Sequence, residues 1–219
     1  MTQNREKIAL VTGASRGLGA AMAETLAQRG YHVIALARTV GGLEELDDRI
    51  QAAGGTATLA PLDLTNEDAL RQICRSIYDR WGKLDLLVHA AIHAPPLSPM
   101  AHTDERDLDK TIKTNIRGTA RIIANTEPLL RASPDAQAVF FEDSVAAEKF
   151  HGAYGMSKAA QIRMARSWGD ETAKSGPKIH VLTPGPMPTA TRARFYPGED
   201  RAALCDARTE AARLLDEIL

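Results

Sequence analysis

Two cysteines, Cys74 and Cys205, are all that the 219-residue sequence holds. They are too few for a disulfide framework and lack metal-ligand spacing, so free thiols in a reducing compartment and no metal site are expected. An excess of charge of either sign is missing too: 27 Lys and Arg stand against 28 Asp and Glu, a formal net charge of -1. That balance offers no basic face to nucleic acid and no attraction to an anionic membrane, and leaves small molecules or further copies of the chain as partners. Nor is there an apolar run long enough to span a bilayer. The opening "MTQNREKIAL" is polar before it turns apolar and does not resemble a signal peptide, so a soluble, cytoplasmic protein is expected. With no low-complexity tract, repeat or long linker, residues 1–219 read as one domain.

What is present is alternation. Six short apolar runs, "KIALVT" (7–12), "HVIALA" (32–37), "ATLAPL" (57–62), "LDLLVHA" (84–90), "AVFFED" (138–143) and "KIHVLT" (178–183), are separated by stretches with helical periodicity. The predicted helices cover 17–30, 41–55, 66–82, about 104–130 and 153–174. Strands so continuously apolar are covered on both faces, which predicts an α/β fold with a doubly wound parallel sheet of about six strands.

The first strand runs into "TGASRGLG", with Gly13, Gly17 and Gly19 in the turn that opens the first helix. A tight turn needs unusual dihedrals, a pyrophosphate reaches the backbone only where no Cβ intervenes, and the helix start packs on the strand only if its residue is small. The free N–H groups at the helix N-terminus then favour phosphate. This placement, directly between a strand and a helix, points to a dinucleotide. Downstream, "YGMSK" puts Tyr154 and Lys158 four residues apart, on one face of a helix, where an ammonium can act on a phenol. Without the rest of the chain, that pair would be no more than polar residues on a solvated turn.

The glycine spacing together with "YGMSK" resembles the short-chain dehydrogenase/reductase family, and the resemblance runs to about residue 200. Further landmarks follow in order: Asp63 in "LDLT", Asn115 in "TNIRG", Ser144, and Pro184, Gly185 and Thr189 in "PGPMPT". The resemblance implies a Rossmann-like fold and hydride exchange with a nicotinamide cofactor. Ser15, Arg16, Leu18, Leu64 and Ala90 join the implied cofactor residues. Asp63 would read the adenine amino group, or else merely cap the next turn. The second strand ends "ALART", with Arg38 where an acid would bind the ribose hydroxyls; Arg38 and Arg16, unopposed by an acid, favour NADP(H) over NAD(H).

By the same resemblance Tyr154 is the acid/base, and Lys158, with the oxidised nicotinamide, would lower its pKa from near 10. Lys158 would also hold the ribose, Ser144 would hydrogen-bond the substrate oxygen, and Asn115 would support a water relaying protons to Lys158. Three departures stand out. Only ten residues separate Ser144 from Tyr154, about three fewer than in similar enzymes, which makes Asp143 the neighbouring candidate. "HAAI" (89–92) replaces an Asn-Asn-Ala-Gly-like run, and His89 reads as a core residue. After "DARTEAARLLDEIL" the seventh strand of many relatives is absent. The function expected is an NADP(H)-dependent oxidoreductase interconverting an alcohol and a ketone or aldehyde, with a substrate loop at about 186–205. The alternatives are a dinucleotide-binding protein with little turnover and, on the same scaffold, epimerisation or dehydration. Arg192 and Arg194 would favour an anionic substrate unless they are ordinary exposed loop residues. A homodimer is expected through the two long helices, because Ile162, Met164, Ala165 and Trp168 exceed what one sheet-facing stripe needs.

Overall fold

The computed structural model describes residues 6–219. Six strands, β1 (Lys7–Thr12), β2 (Tyr31–Ala37), β3 (Thr56–Pro61), β4 (Leu86–His89), β5 (Gln137–Phe141) and β6 (Lys178–Leu182), form one parallel sheet in the order β3-β2-β1-β4-β5-β6. No seventh strand extends it among the described residues. The chain winds outward from β1 in both directions, so the order reverses between β1 and β4. Loops leaving the carboxyl ends of those two strands must part there and open a crevice.

Residues alternate along each strand and feed two cores. On one face Val11, Val33 and Val88 pack with α1 (Gly17–Gln28) and α2 (Val40–Ala52). On the other, Leu10, Ile34, Leu87 and Phe140 meet α3 (Glu67–Trp81), and beyond it the helices between β4 and β6. These are α4 (Glu105–Thr111), a π-helical stretch Ile112–Arg117, α5 (Gly118–Arg131) and α6 (Gly152–Thr172). The short α7 (Ala190–Phe195) follows β6, and α8 (Ala207–Asp216) returns to place Leu214 and Leu215 in the core against α1.

Two sequence expectations are corrected here. The helix expected over 104–130 is one continuous path whose middle, Ile112–Arg117, is π-helical; there the Thr119 hydroxyl donates to the Asn115 carbonyl at 2.6 Å. Most of the apolar surplus expected on α6 is also absent: Ile162, Ala165 and Trp168 are buried against the sheet, and Met164 alone of the four is only half-buried. Of the two thiols, Cys74 is buried and pushed up to about 12 by that burial, and Cys205 is exposed. No described helix is long and apolar enough to cross a membrane.

Candidate active site

Gly13 shapes the crevice. Its φ is +71°, and a Cβ there would lie 2.7 Å from the Ala91 nitrogen, so only glycine lets the loop after β1 rest on the end of β4. α1 then starts with no side-chain cap and no acid in its first turn, whereas Asn66, Asp104 and Asp206 cap α3, α4 and α8. Its open N–H groups fit a pyrophosphate. A cavity of about 480 Å³ begins here, lined by Gly13, Ser15, Arg16, Gly17, Leu18, Gly19, Arg38, Asp63, Leu64 and Ala90, and continues past Asp143, Ser144, Tyr154 and Lys158 to Pro184, Gly185 and Thr189. Of the catalytic and cofactor residues named from the sequence, Asn115 alone lies outside its lining.

Arg16 and Arg38 are both exposed at the cavity mouth. Arg38 is not unopposed, however: its guanidinium stands 4.0 Å from Asp63 Oδ2. Burial pushes Asp63 up, but hydrogen bonds from Thr65 and the charge of Arg38 outweigh it and hold the carboxyl below its usual value. The Thr65 N–H donates to Asp63 Oδ1 at 2.8 Å, the turn-capping geometry. On the opposite wall Thr189 caps α7 by accepting from the Arg192 N–H at 3.1 Å. The Gly185 N–H donates to Glu210 Oε1 at 2.7 Å, so α8 props the Pro184–Gly185 loop. Sequence reasoning missed Glu210.

Tyr154 and Lys158 share a face of α6 and are both buried. The turn Ser144–Ala147 lies directly on that helix, because Gly155 has no Cβ to hold off the Ala146 carbonyl. This close seat decides what meets the phenol. Tyr154 donates to Asp143 Oδ2 at 2.6 Å, while Asp143 Oδ1 accepts from the Val145 N–H at 3.1 Å and caps the turn. Ser144 is exposed on that turn, and Asp143 stands where Ser144 was expected to meet the tyrosine. The electrostatics are corrected in the same way. Burial, the Asp143 charge and its hydrogen bond raise the Tyr154 pKa well above the ordinary phenol value.

Lys158 donates to the Phe141 carbonyl and to Gln161 Oε1, the latter at 2.6 Å. Burial lowers its pKa to about 8 against the opposing pull of Asp143 and Glu142. Asn115 is fully buried, its Oδ1 accepting from the His93 N–H at 2.7 Å and its Nδ2 donating to the His93 carbonyl and to Ser157 Oγ at 2.8 and 2.9 Å. It clamps the loop after β4 to α6. Its backbone carbonyl accepts from the Thr119 hydroxyl.

α7 covers the phenol. Phe195 packs edge-on to Tyr154 with ring centroids 5.0 Å apart. Arg192 is engaged by Glu199 at 2.5 and 2.7 Å, and Arg194 donates to the Ala94 carbonyl at 2.7 Å. Arg192 is thereby neutralised by Glu199, whereas Arg194 is exposed and gives one N–H to a backbone carbonyl, as an ordinary loop arginine does.

Comparison with known proteins bears on the family and the fold. The short chain dehydrogenase family matches residues 7–200. The 3-oxoacyl-(acyl-carrier-protein) reductase FabG of Escherichia coli is 32% identical over 214 residues, covering 95% of this chain and 84% of that protein. Glycine betaine reductase of Emericella nidulans is 29% identical over 181 residues, which cover 82% of this chain but only 14% of that protein's length. A solved short chain dehydrogenase from Escherichia coli in complex with NADPH superposes with a TM-score of 0.86 at 28% identity, covering 95% of this chain and 90% of that one.

Proposed function

This chain belongs to the short chain dehydrogenase family and is an NAD(P)-dependent oxidoreductase, and on that premise we propose that it reduces a ketone or aldehyde with NADP(H), using Tyr154 as the proton donor. The observation that carries the reading is the continuity of one cavity from the uncapped start of α1 to the buried Tyr154–Lys158 face of α6. Gly13, Gly17 and Gly19 would admit the pyrophosphate, Arg38 and Arg16 a 2′-phosphate, and Lys158 the ribose of the nicotinamide half. The NADPH complex of the Escherichia coli relative supports the choice of phosphate-bearing cofactor. When bound, the cofactor supplies the hydride.

Burial, with Asp143 beside it, keeps Tyr154 protonated at neutral pH, the state from which it can donate to a carbonyl oxygen. The proton leaves Tyr154 for the oxygen that becomes the alcohol as the carbonyl carbon accepts hydride. Lys158, cationic below about 8, offsets the tyrosinate left behind. Phe195 and the α7 loop keep water from the phenol. A homodimer and a cytoplasmic setting belong to the same proposal, supported by family resemblance alone. Screening aldehydes and ketones for NADPH oxidation tests the reading: turnover of at least one compound is expected, and tight NADPH binding with no turnover of any would leave only a dinucleotide-binding role.

A further inference from the structure

Gln161 lies on α6 about one turn beyond Lys158 and is only 2% exposed. A buried amide is tolerated when its groups are hydrogen-bonded, and here both ends are. Oε1 accepts from Lys158 Nζ at 2.6 Å, and Nε2 donates to Thr119 Oγ1 at 2.9 Å. The single Thr119 hydroxyl proton goes to the Asn115 carbonyl at 2.6 Å. Its oxygen can then only accept, from Gln161 and from His89 Nε2 at 2.9 Å. His89 is thereby fixed as the Nε2–H tautomer. Its Nδ1 accepts from the Thr12 hydroxyl at 2.8 Å, and Thr12 Oγ1 accepts from the Ala91 N–H at 3.2 Å. Thr12, His89, Thr119 and Gln161 are all buried, and burial lowers His89 to about 3, so the imidazole stays neutral.

The order of donors leaves no freedom. Because Thr119 requires the amide NH₂, Gln161 can turn only its carbonyl oxygen to Lys158. With the Phe141 carbonyl it takes two of the three ammonium protons. We propose that Gln161 is a positioning residue for Lys158, oriented from β1 and β4 through Thr12, His89 and Thr119 so that one N–H of the ammonium is aimed into the cavity. The use of that N–H rests on the role given to Lys158 under Proposed function; the link itself is a property of the protein alone. The other groups facing Lys158 are Asp143 and Glu142 from the segment after β5, the neutral His89 from β4, and Tyr154 one turn back on α6.

The test is a titration of Lys158 in the protein without cofactor, by NMR of ¹³C-lysine, with its resonance assigned by its loss in Lys158→Met. Gln161→Met removes an acceptor from the charged form and should lower the Lys158 pKa by about one unit. Gln161→Glu keeps the size and adds a charge, and should raise it by at least about as much. Thr119→Val frees the amide to turn and should shift it downward, as Gln161→Met does. A purely structural amide would lower the melting temperature in these variants without moving the titration in opposite directions. Should the Met variant not fold, the Glu variant decides alone. A Lys158 titration unmoved by Gln161→Glu overturns the proposal, whether or not a substrate is ever found. Absence of turnover in the native protein would count against the proposed function and leave the titration untouched.

Discussion

The Tyr154 hydroxyl donates to Asp143 Oδ2 across 2.6 Å, joining α6 to the segment that follows β5. Burial, and then a carboxylate in that position, hold the phenol protonated. Asp143→Asn keeps the shape and removes the charge, so the Tyr154 pKa should fall by at least about one unit. Tyrosinate absorbance during an alkaline titration, with Tyr154→Phe subtracted, reads it. An unchanged or higher pKa in the Asn variant would contradict the electrostatic role of Asp143.

Cofactor choice rests on Arg38 and Arg16. NADPH should bind more tightly than NADH by about tenfold or more, the worth of a charge-assisted contact to phosphate. Arg38→Asp should reverse the order, because it removes the cation beside Asp63 and repels the 2′-phosphate. Fluorescence titration of both cofactors measures this. Tighter binding of NADH by the native protein would contradict it.

The strands, the glycine loop and the helix carrying Tyr154 were legible because local pattern determines them: apolar runs make buried strands, and a glycine trio between a strand and a helix makes a tight turn. Asp143 was named only as a neighbour, since which of two adjacent residues meets the phenol depends on how a shortened loop seats against Gly155. The facing of Ile162, Ala165 and Trp168 was misjudged because α6 lies so deep that a wider stripe is buried than a surface helix needs. Glu199 lies beyond α7 and folds back onto Arg192, and Thr119 and Gln161 come from different helices. Such partners meet only in three dimensions, and no spacing announces them.

The shortened loop carries strain. Phe150 has φ +72° and is 45% exposed, and a branched side chain in that region costs energy that glycine does not. Phe150→Gly should stabilise the protein by about 1 kcal/mol, measured by chemical denaturation. A loss of stability would mean that the stacking of Lys149 on this ring, at 4.6 Å, outweighs the backbone term.

Lys158 sets an alkaline limit. Its pKa in the folded protein is lowered to about 8, so the ammonium is present below that pH and lost above it. NADPH affinity of the free enzyme should hold through neutral pH and weaken above about 8, and Lys158→Met should flatten the dependence while weakening binding throughout. A pH series of equilibrium titrations reads both. Native affinity that rises above pH 8 would contradict the role of the ammonium.

The central claim is that Tyr154 delivers the proton, and the most direct measurement is single-turnover NADPH oxidation with a carbonyl substrate by the native protein and by Tyr154→Phe. The ring and its contact with Phe195 survive the substitution, so NADPH affinity should stay close to native while the rate of turnover falls by a factor on the order of 10²–10⁴. A Phe variant that binds NADPH and turns over at the native rate would contradict the account.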